Sequence, residues 1–469
     1  MRSSNDIEAI LDGVRPNAFL IGVWALCGMV LFLDGYDLTV IAFMAPELVK
    51  EFGHGNASLG FVFSAGLVGM AMGGPLGGWV GDRHGRRLPM AASCLVFGFA
   101  TLAMLQATTV PHLVSCRLVV GIGLGAALST AVAITAEFAP RRMRSRVLAL
   151  VSTCVPLGAV LPGVLTATLV PAYGWRLLVV VGGGLPVLLA IVLLWRMPES
   201  LKYQALRPAF HARLSELLRR LGAESQWVAG TAGPGDERVQ SVSPTRLFSD
   251  GLAAITLSMW LLFFVNAMAL YLVISWLPLV LQSLGMSIQQ AGQAAAMFSA
   301  ASLVGGLVVA SLIARFGVAL LPAMFAIAMP LLVMFATLDL SRAAIVACIL
   351  IPGAAFGALQ VGCFTVTGML YPTSVRATGT GWALSVGRIG AIAGPIFGAA
   401  VLALQLPPQQ MFGFATVPMA IGAIGGVVLA VLCHRRFGSL HVDDRAARSA
   451  GAARPAETTA DPSKLKATT

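Results

Sequence analysis

Gly78-Trp79-Val80-Gly81-Asp82-Arg83-His84-Gly85-Arg86-Arg87 stands where one apolar run ends and another begins. The run before it covers residues 58 to 80, and the run after it covers 88 to 107. Each is about the length a helix needs to cross the hydrocarbon core of a bilayer. Working outward with the same window finds ten more, near 18–45, 112–136, 146–171, 176–196, 252–281, 290–313, 319–338, 343–369, 377–403 and 411–434. All twelve runs are continuous instead of alternating, so helices are expected and a barrel is not.

Composition agrees. Of the 469 residues 57% are hydrophobic and 11% charged, where a soluble protein carries about 25% charged residues. The mean hydropathy of +0.85 excludes an ordinary soluble enzyme and also a soluble domain on a small anchor. The formal charge of +11 would suit a nucleic-acid partner in a cytosolic protein, but its placement explains it otherwise. Counted by side, 26 of the 31 Lys and Arg fall on the N-terminus, the even-numbered loops and the tail. Only Lys50, Arg176 and Arg342 fall opposite, and Arg117 and Arg388 lie inside spans. Such asymmetry predicts both termini in the cytoplasm, and no nucleic acid is needed. Asp6, Glu8 and Asp12 precede a first span too long for a signal-peptide core.

The seven cysteines are scattered through apolar stretches, with no metal-ligand spacing, and are expected to be reduced packing residues. The six histidines sit at loops or span ends, and no nucleophile–base or metal constellation lies in the spans. The chain is therefore expected to be neither an enzyme nor a holder of a metal or tight cofactor.

The expected organisation is a cytoplasmic N-terminus (1–17), a six-helix bundle (18–196), a cytoplasmic linker (197–250), a second six-helix bundle (251–434) and a cytoplasmic, disordered tail (435–469). In the linker, Leu214, Leu217, Leu218 and Leu221 recur at helical spacing beside Arg213, Arg219 and Arg220, which suits a helix lying on the membrane surface. The Gly222–Pro244 stretch reads as flexible.

Sliding the second half over the first by 232 residues aligns Pro46 with Pro278, Arg83 with Arg315, Gly121 with Gly353, Gly125 with Gly357 and Gly158 with Gly390. Six spans separate the equivalents, so the halves form a parallel repeat about an axis along the membrane normal. The mismatches point to the site. Asp34 aligns with Asn266, Asp37 with Ala269, Glu137 with Met369, and Arg388 with Pro156. A scaffold would keep such groups symmetrically; an asymmetric ligand would not.

Ionisable side chains deep in a span cost about 2.5–3.5 kcal/mol on insertion scales, so they face a cavity or a partner. Asp34 and Asp37 share a helical face, three residues apart. Two neighbouring carboxylates cannot both ionise cheaply in low dielectric, which suits a proton-coupling pair. The alternative is that Asp37 and Arg117 form a standing ion pair. Arg388 offers a planar fork that matches a carboxylate, and span eleven contains no acidic residue. Tyr36, Phe264, Trp276, Phe364 and Trp382 lie at comparable depth as candidates to sandwich a ring, with helix packing as their ordinary alternative. In the first loop motif, Asp82 is placed to cap a neighbouring helix N-terminus.

At this point the chain resembles the major facilitator superfamily, whose loop signature GxxxDRxGRR is met by Gly78, Asp82, Arg83, Gly85, Arg86 and Arg87. Within it the chain is similar to the bacterial aromatic acid/proton symporters, through Leu33-Asp34-Gly35-Tyr36-Asp37, Arg117 followed by Gly121, Gly123 and Gly125, and Glu137 followed by Pro140 and Arg144. Residues 376–382 and 387–395 match that family's most diagnostic stretch. One departure is Ala314-Arg315-Phe316-Gly317, which lacks the Asp of a second loop motif, so a weaker or differently built second gate is expected.

The resemblance implies an all-α membrane protein with twelve transmembrane helices in two six-helix halves. It implies a monomeric symporter of the bacterial inner membrane that imports a benzoate-like or hydroxybenzoate-like carboxylate with protons. Asp34 and Asp37 would couple, Arg388 would hold the carboxylate with Tyr36, Trp382, Phe264 and Phe364 around the ring, and Arg117 would belong to an intramembrane ion pair. The loop motif with Glu137 and Arg144 would gate. Rivals are a transporter of non-aromatic or ring-cleaved acids, an efflux antiporter, and a transporter-like receptor.

Overall fold

Backbone amides have no water to bond in lipid, so an apolar run must close its own hydrogen bonds as a helix. In the computed structural model, which describes residues 11–52, 58–205, 207–221, 244–249, 251–338, 340–372 and 375–437, every long element is helical. Twelve helices among the described residues are long and apolar enough to span a membrane. They are α1 (Ala18–Phe52), α2 (Leu59–His84), α3 (Arg87–Ala103), α4 (Val110–Glu137), α5 (Arg144–Thr168, stepped at Thr153) and α6 (Arg176–Arg196). After the linker come α7 (Ala253–Ser283), α8 (Ile288–Phe316), α9 (Leu320–Thr337), α10 (Arg342–Leu370), α11 (Arg376–Leu402) and α12 (Thr416–Phe437). Local chemistry sets several starts. At α8, Ser287 Oγ accepts from Gln290 N while Gln290 Oε1 accepts from Ser287 N, each at 3.2 Å, a reciprocal cap.

Three expectations need correction. The first run does not stop near residue 45: α1 continues through Pro46 to Phe52, because a membrane helix tolerates a proline whose freed carbonyl finds other partners. The loop motif is not all loop, since residues up to His84 complete α2 and the turn comes at Gly85, whose φ of 85° suits glycine. The linker does form a helix, His211–Arg220, but Leu214, Leu217 and Leu218 pack into the first half with Leu11, Val14 and Leu20 instead of dissolving in lipid. Protein surface was available to that apolar stripe. Nearly all of the Gly222–Pro244 stretch and the tail after residue 437 lie outside the described residues.

The repeat in the sequence is a repeat of contacts. A Cβ on Gly158 would strike the Phe32 carbonyl, and one on Gly390 would strike the Phe264 carbonyl. Gly121 meets Gly66 as Gly353 meets Phe298, and Gly125 meets Met70 as Gly357 meets Ser302. Every member of each pair differs from its twin by 232 residues. Small residues let backbones touch where lipid offers no hydrophobic drive for helix association. The tight pairs are α1 with α5 and α2 with α4, then α7 with α11 and α8 with α10.

The halves meet through α2 with α11 and α5 with α8. Ser64 Oγ donates to the Ile392 carbonyl at 2.8 Å, Gly60 lies against Pro395 and Ala399, and Gly163 lies against Gly292 and Ala296. These contacts sit early in α2 and α8 and late in α5 and α11, so they lie toward the end of the bundle opposite the termini.

Candidate functional site

At about 1.5 Å per residue, Asp34, Arg388 and Asn266 lie roughly 24, 18 and 20 Å along α1, α11 and α7 from the end that carries the termini. Asp37 is 2% exposed and Arg117 3%. Arg117 Nη1 donates to both carboxylate oxygens of Asp37 at 3.0 Å, and Nη2 donates to the Asp37 carbonyl at 3.3 Å. This ties α1 to α4. A narrow cleft beside the pair is lined by Phe63, Met70 and, from the second half, Tyr271 and Ser275.

Asp34 is different. It is 3% exposed, yet its Oδ1 is buried without a hydrogen-bond partner. It lies within electrostatic reach of Asp37 and Arg388, and Tyr271 lies within reach of Asp34 and Arg388. Arg388 is half-buried. Its Nη1 points across the interface to α2, 3.3 Å from where a Cβ on Gly74 would stand. Among the described residues it forms no ion pair and no hydrogen bond.

A second network gathers at the end bearing the termini. Arg86 joins Asp82 through Nη2 and Glu137 through Nε, both at 2.9 Å. Ser200 Oγ donates to Glu137 Oε2 at 2.5 Å. Asp82 is 67% exposed at its side chain, and it is not the residue that caps α3. Glu199 does so: its Oε1 accepts from Arg86 N at 2.5 Å, Arg87 N at 3.2 Å and Ser200 N at 2.9 Å. Its carboxylate fills the space that a Cβ on Gly85 would need, so glycine there serves both the turn and the cap. Arg83 lies over the Trp79 ring at 4.5 Å and its carbonyl accepts from Arg207. Arg87 donates to the Leu194 carbonyl. Arg144 opens α5, half-buried, and Gly78 lies on the last turns of α2.

The family model of the Major Facilitator Superfamily matches residues 27–395 and 259–458. The chain belongs to the major facilitator superfamily. Among characterised superfamily members it is 31% identical over 436 residues to the 4-hydroxybenzoate transporter PcaK of Pseudomonas aeruginosa, covering 92% of this chain and 97% of the relative. It is 32% identical to the gallate transporter of Pseudomonas putida, covering 89% and 94%. Its fold matches the crystal structure of the D-xylose-proton symporter with a TM-score of 0.69 at 19% identity, covering 88% of this chain and 97% of that one. Relatives and fold neighbours are transporters of the superfamily, not enzymes.

The superfamily loop signature is thus the Arg86 network, and it is confined to the first half because the twins of Asp82 and Glu137 are Ala314 and Met369. The second half is tied differently: Arg376 Nε donates to the Tyr371 carbonyl at 3.2 Å, and Tyr371 Oη donates to Thr256 Oγ1 at 3.1 Å. One aromatic expectation is corrected. Tyr36 Oη donates to the Leu178 carbonyl at 2.8 Å and its ring abuts Gly182, so it packs α1 on α6. Trp382 stacks on Trp260 at 5.8 Å, six residues before Arg388 on α11, and keeps an exposed edge. Trp276 is also spent on packing, edge-on to Phe63 with its Nε1 donating to Pro395. Phe264 is half-buried, its carbonyl under Gly390. Phe364 is exposed, one turn beyond exposed Gln360. Glu199, Tyr271 and Gln360 are not singled out by the sequence, where the last two are only polar side chains within apolar runs, and Asn266 enters it only as the repeat twin of Asp34.

Proposed function

We propose that this protein imports a small aromatic carboxylate together with protons across a bacterial cytoplasmic membrane, as a monomer with both termini in the cytoplasm. The observation that carries the reading is Arg388, a guanidinium held deep between two six-helix halves, with no ion pair or hydrogen bond among the described residues and Asp34 as the carboxylate within electrostatic reach. A fixed cation there favours an anion, and its planar fork selects a carboxylate. The names of relatives, 4-hydroxybenzoate and gallate transporters, support an aromatic acid.

Charge arithmetic supports the coupling. Asp34, Asp37, Arg117 and Arg388 sum to zero when all are ionised. Admitting an anion leaves the low-dielectric interior at minus one, which is costly; admitting a proton with it restores zero. Asp37 is held by Arg117, whereas a lone buried carboxylate at Asp34 gains most from protonation, since burial without a donor penalises charge. Asp34 is therefore the proton carrier, and Asp37 acts through its pair with Arg117. The substrate carboxylate takes over from Asp34 as the counter-charge of Arg388. Phe264 and Phe364 contribute ring contacts.

The contacts of Ser64 and Gly163 close the end opposite the termini, which makes this the conformation sealed on that side. Rocking of the two halves (18–196 and 251–434) about the site would break these contacts. The Asp82–Arg86–Glu137 network, with Arg144 nearby, would stabilise one of the two states. The test is uptake of labelled aromatic acids into proteoliposomes under an imposed pH gradient. Accumulation driven by external acid is expected; absence of aromatic acid uptake, or export, would overturn the proposal.

A further inference from the structure

Asp34 is not the only orphan at this depth. Asn266, its repeat twin on α7, is 2% exposed, and its Oδ1 is buried with no hydrogen-bond partner. Two unpaired oxygens thus occupy equivalent positions on either side of the axis between the halves. Asn266 Nδ2 donates to Gln360 Oε1 of α10 at 3.1 Å, while Gln360 itself is exposed within an apolar span. Two amides that share one hydrogen bond leave one carbonyl and one NH2 group unused, and this holds if both amides are turned over. An unused acceptor beside an unused donor matches a hydroxyl, which gives one hydrogen bond and takes another. A buried oxygen left unpaired is costly, so something is expected to satisfy it during the cycle.

Placement supports a ligand. Gly390 rests on Phe264 and Gly387 on Phe263, so α11 and α7 touch at the level of Arg388 and Asn266. Phe364, one turn from Gln360 on the same face of α10, is exposed beside them. We infer that Asn266 and Gln360 form a subsite that reads a hydroxyl on the ring of the transported acid, at the end remote from the carboxylate held by Arg388. This rests on the transport of aromatic acids proposed above and narrows it to hydroxylated rings. A purely structural amide pair knitting α7 to α10 would make no such distinction.

The discriminating experiment compares labelled 3-hydroxybenzoate, 4-hydroxybenzoate and benzoate in proteoliposomes carrying equal amounts of monodisperse protein. The wild type is expected to take up at least one hydroxylated acid with a KM about 10-fold or more below that of benzoate, the factor one hydrogen bond gives. In Asn266→Leu and in Gln360→Leu, KM for that acid should rise about 10-fold while KM for benzoate stays within about 2-fold. Uptake of benzoate by the same vesicles shows that each variant is folded and active. A parallel loss for all three acids in both variants, or no discrimination by the wild type, overturns the inference and leaves aromatic acid transport standing. If the wild type takes up none of the three acids, the underlying reading fails and the subsite with it.

Discussion

Replacing Asp37 by Leu should destabilise the protein more than replacing Asp37 and Arg117 together. Both side chains are almost fully buried, and one guanidinium nitrogen bridges the two carboxylate oxygens at 3.0 Å. Removing one partner leaves a buried charge uncompensated, which costs about 3–5 kcal/mol, whereas exchanging a whole buried pair for apolar groups of similar volume is often neutral or stabilising. Asp37→Leu should therefore lose about 3–5 kcal/mol, as should Arg117→Met, and the double variant should recover most of that loss. Thermal unfolding of the purified protein in detergent, run as a double-mutant cycle, reads the coupling directly. If the two losses simply add, the pair is not the joint between α1 and α4 described here. Equal stability of Asp37→Leu and the wild type would refute the reasoning outright, because a lone buried guanidinium cannot be free of cost.

Glu199→Ala should lose about 1–2 kcal/mol by the same measurement, since it strips the cap from the start of α3; an unchanged midpoint would show that the cap is not needed. Gly158→Leu and its twin Gly390→Leu should each lose at least about 1–3 kcal/mol through overpacking, because a Cβ there meets a backbone carbonyl. Gly184→Ala, with open space around it, should be neutral or gain up to about 1 kcal/mol from helix propensity. Equal effects at the crowded and open positions would contradict the packing. Cysteines placed at Gly60 and Ala399, where a Cβ on Gly60 would lie 2.5 Å from the Ala399 Cβ, should form a disulfide after a small adjustment. Oxidation should arrest uptake and reductant restore it; undiminished uptake by the cross-linked protein would contradict opening at that end.

Much of the architecture was legible because in lipid a span must be a helix, so length and hydropathy carry the information. The repeat was legible for a related reason: Gly158 and Gly390 cannot change where helix backbones touch, and their spacing survives in the sequence. The polar centre was legible in part. Asp34, Asp37, Arg117 and Arg388 announce themselves by cost, since a charge in an apolar run needs a reason. What faces what depends on the rotation of each helix about its axis, which twelve nearly uniform apolar runs do not encode. Tyr36 therefore looked like a ring contact and proved to bond Leu178, while Tyr271 and Gln360 carried no pattern to single them out. No sequence pattern points to the cap on α3: Glu199, 113 residues from Arg86, reaches it only through the packing of α6 on α3.

The central claim is that Asp34 carries the proton that accompanies an anion bound at Arg388, and Asp34→Asn separates the two events. The neutral amide leaves the empty cavity at plus one, so an anion can enter and leave without a proton. Exchange of labelled for unlabelled hydroxybenzoate across proteoliposomes at equal pH should persist in Asp34→Asn, while accumulation driven by an imposed pH gradient should vanish. Gradient-driven accumulation by Asp34→Asn at the level of the wild type would contradict the account.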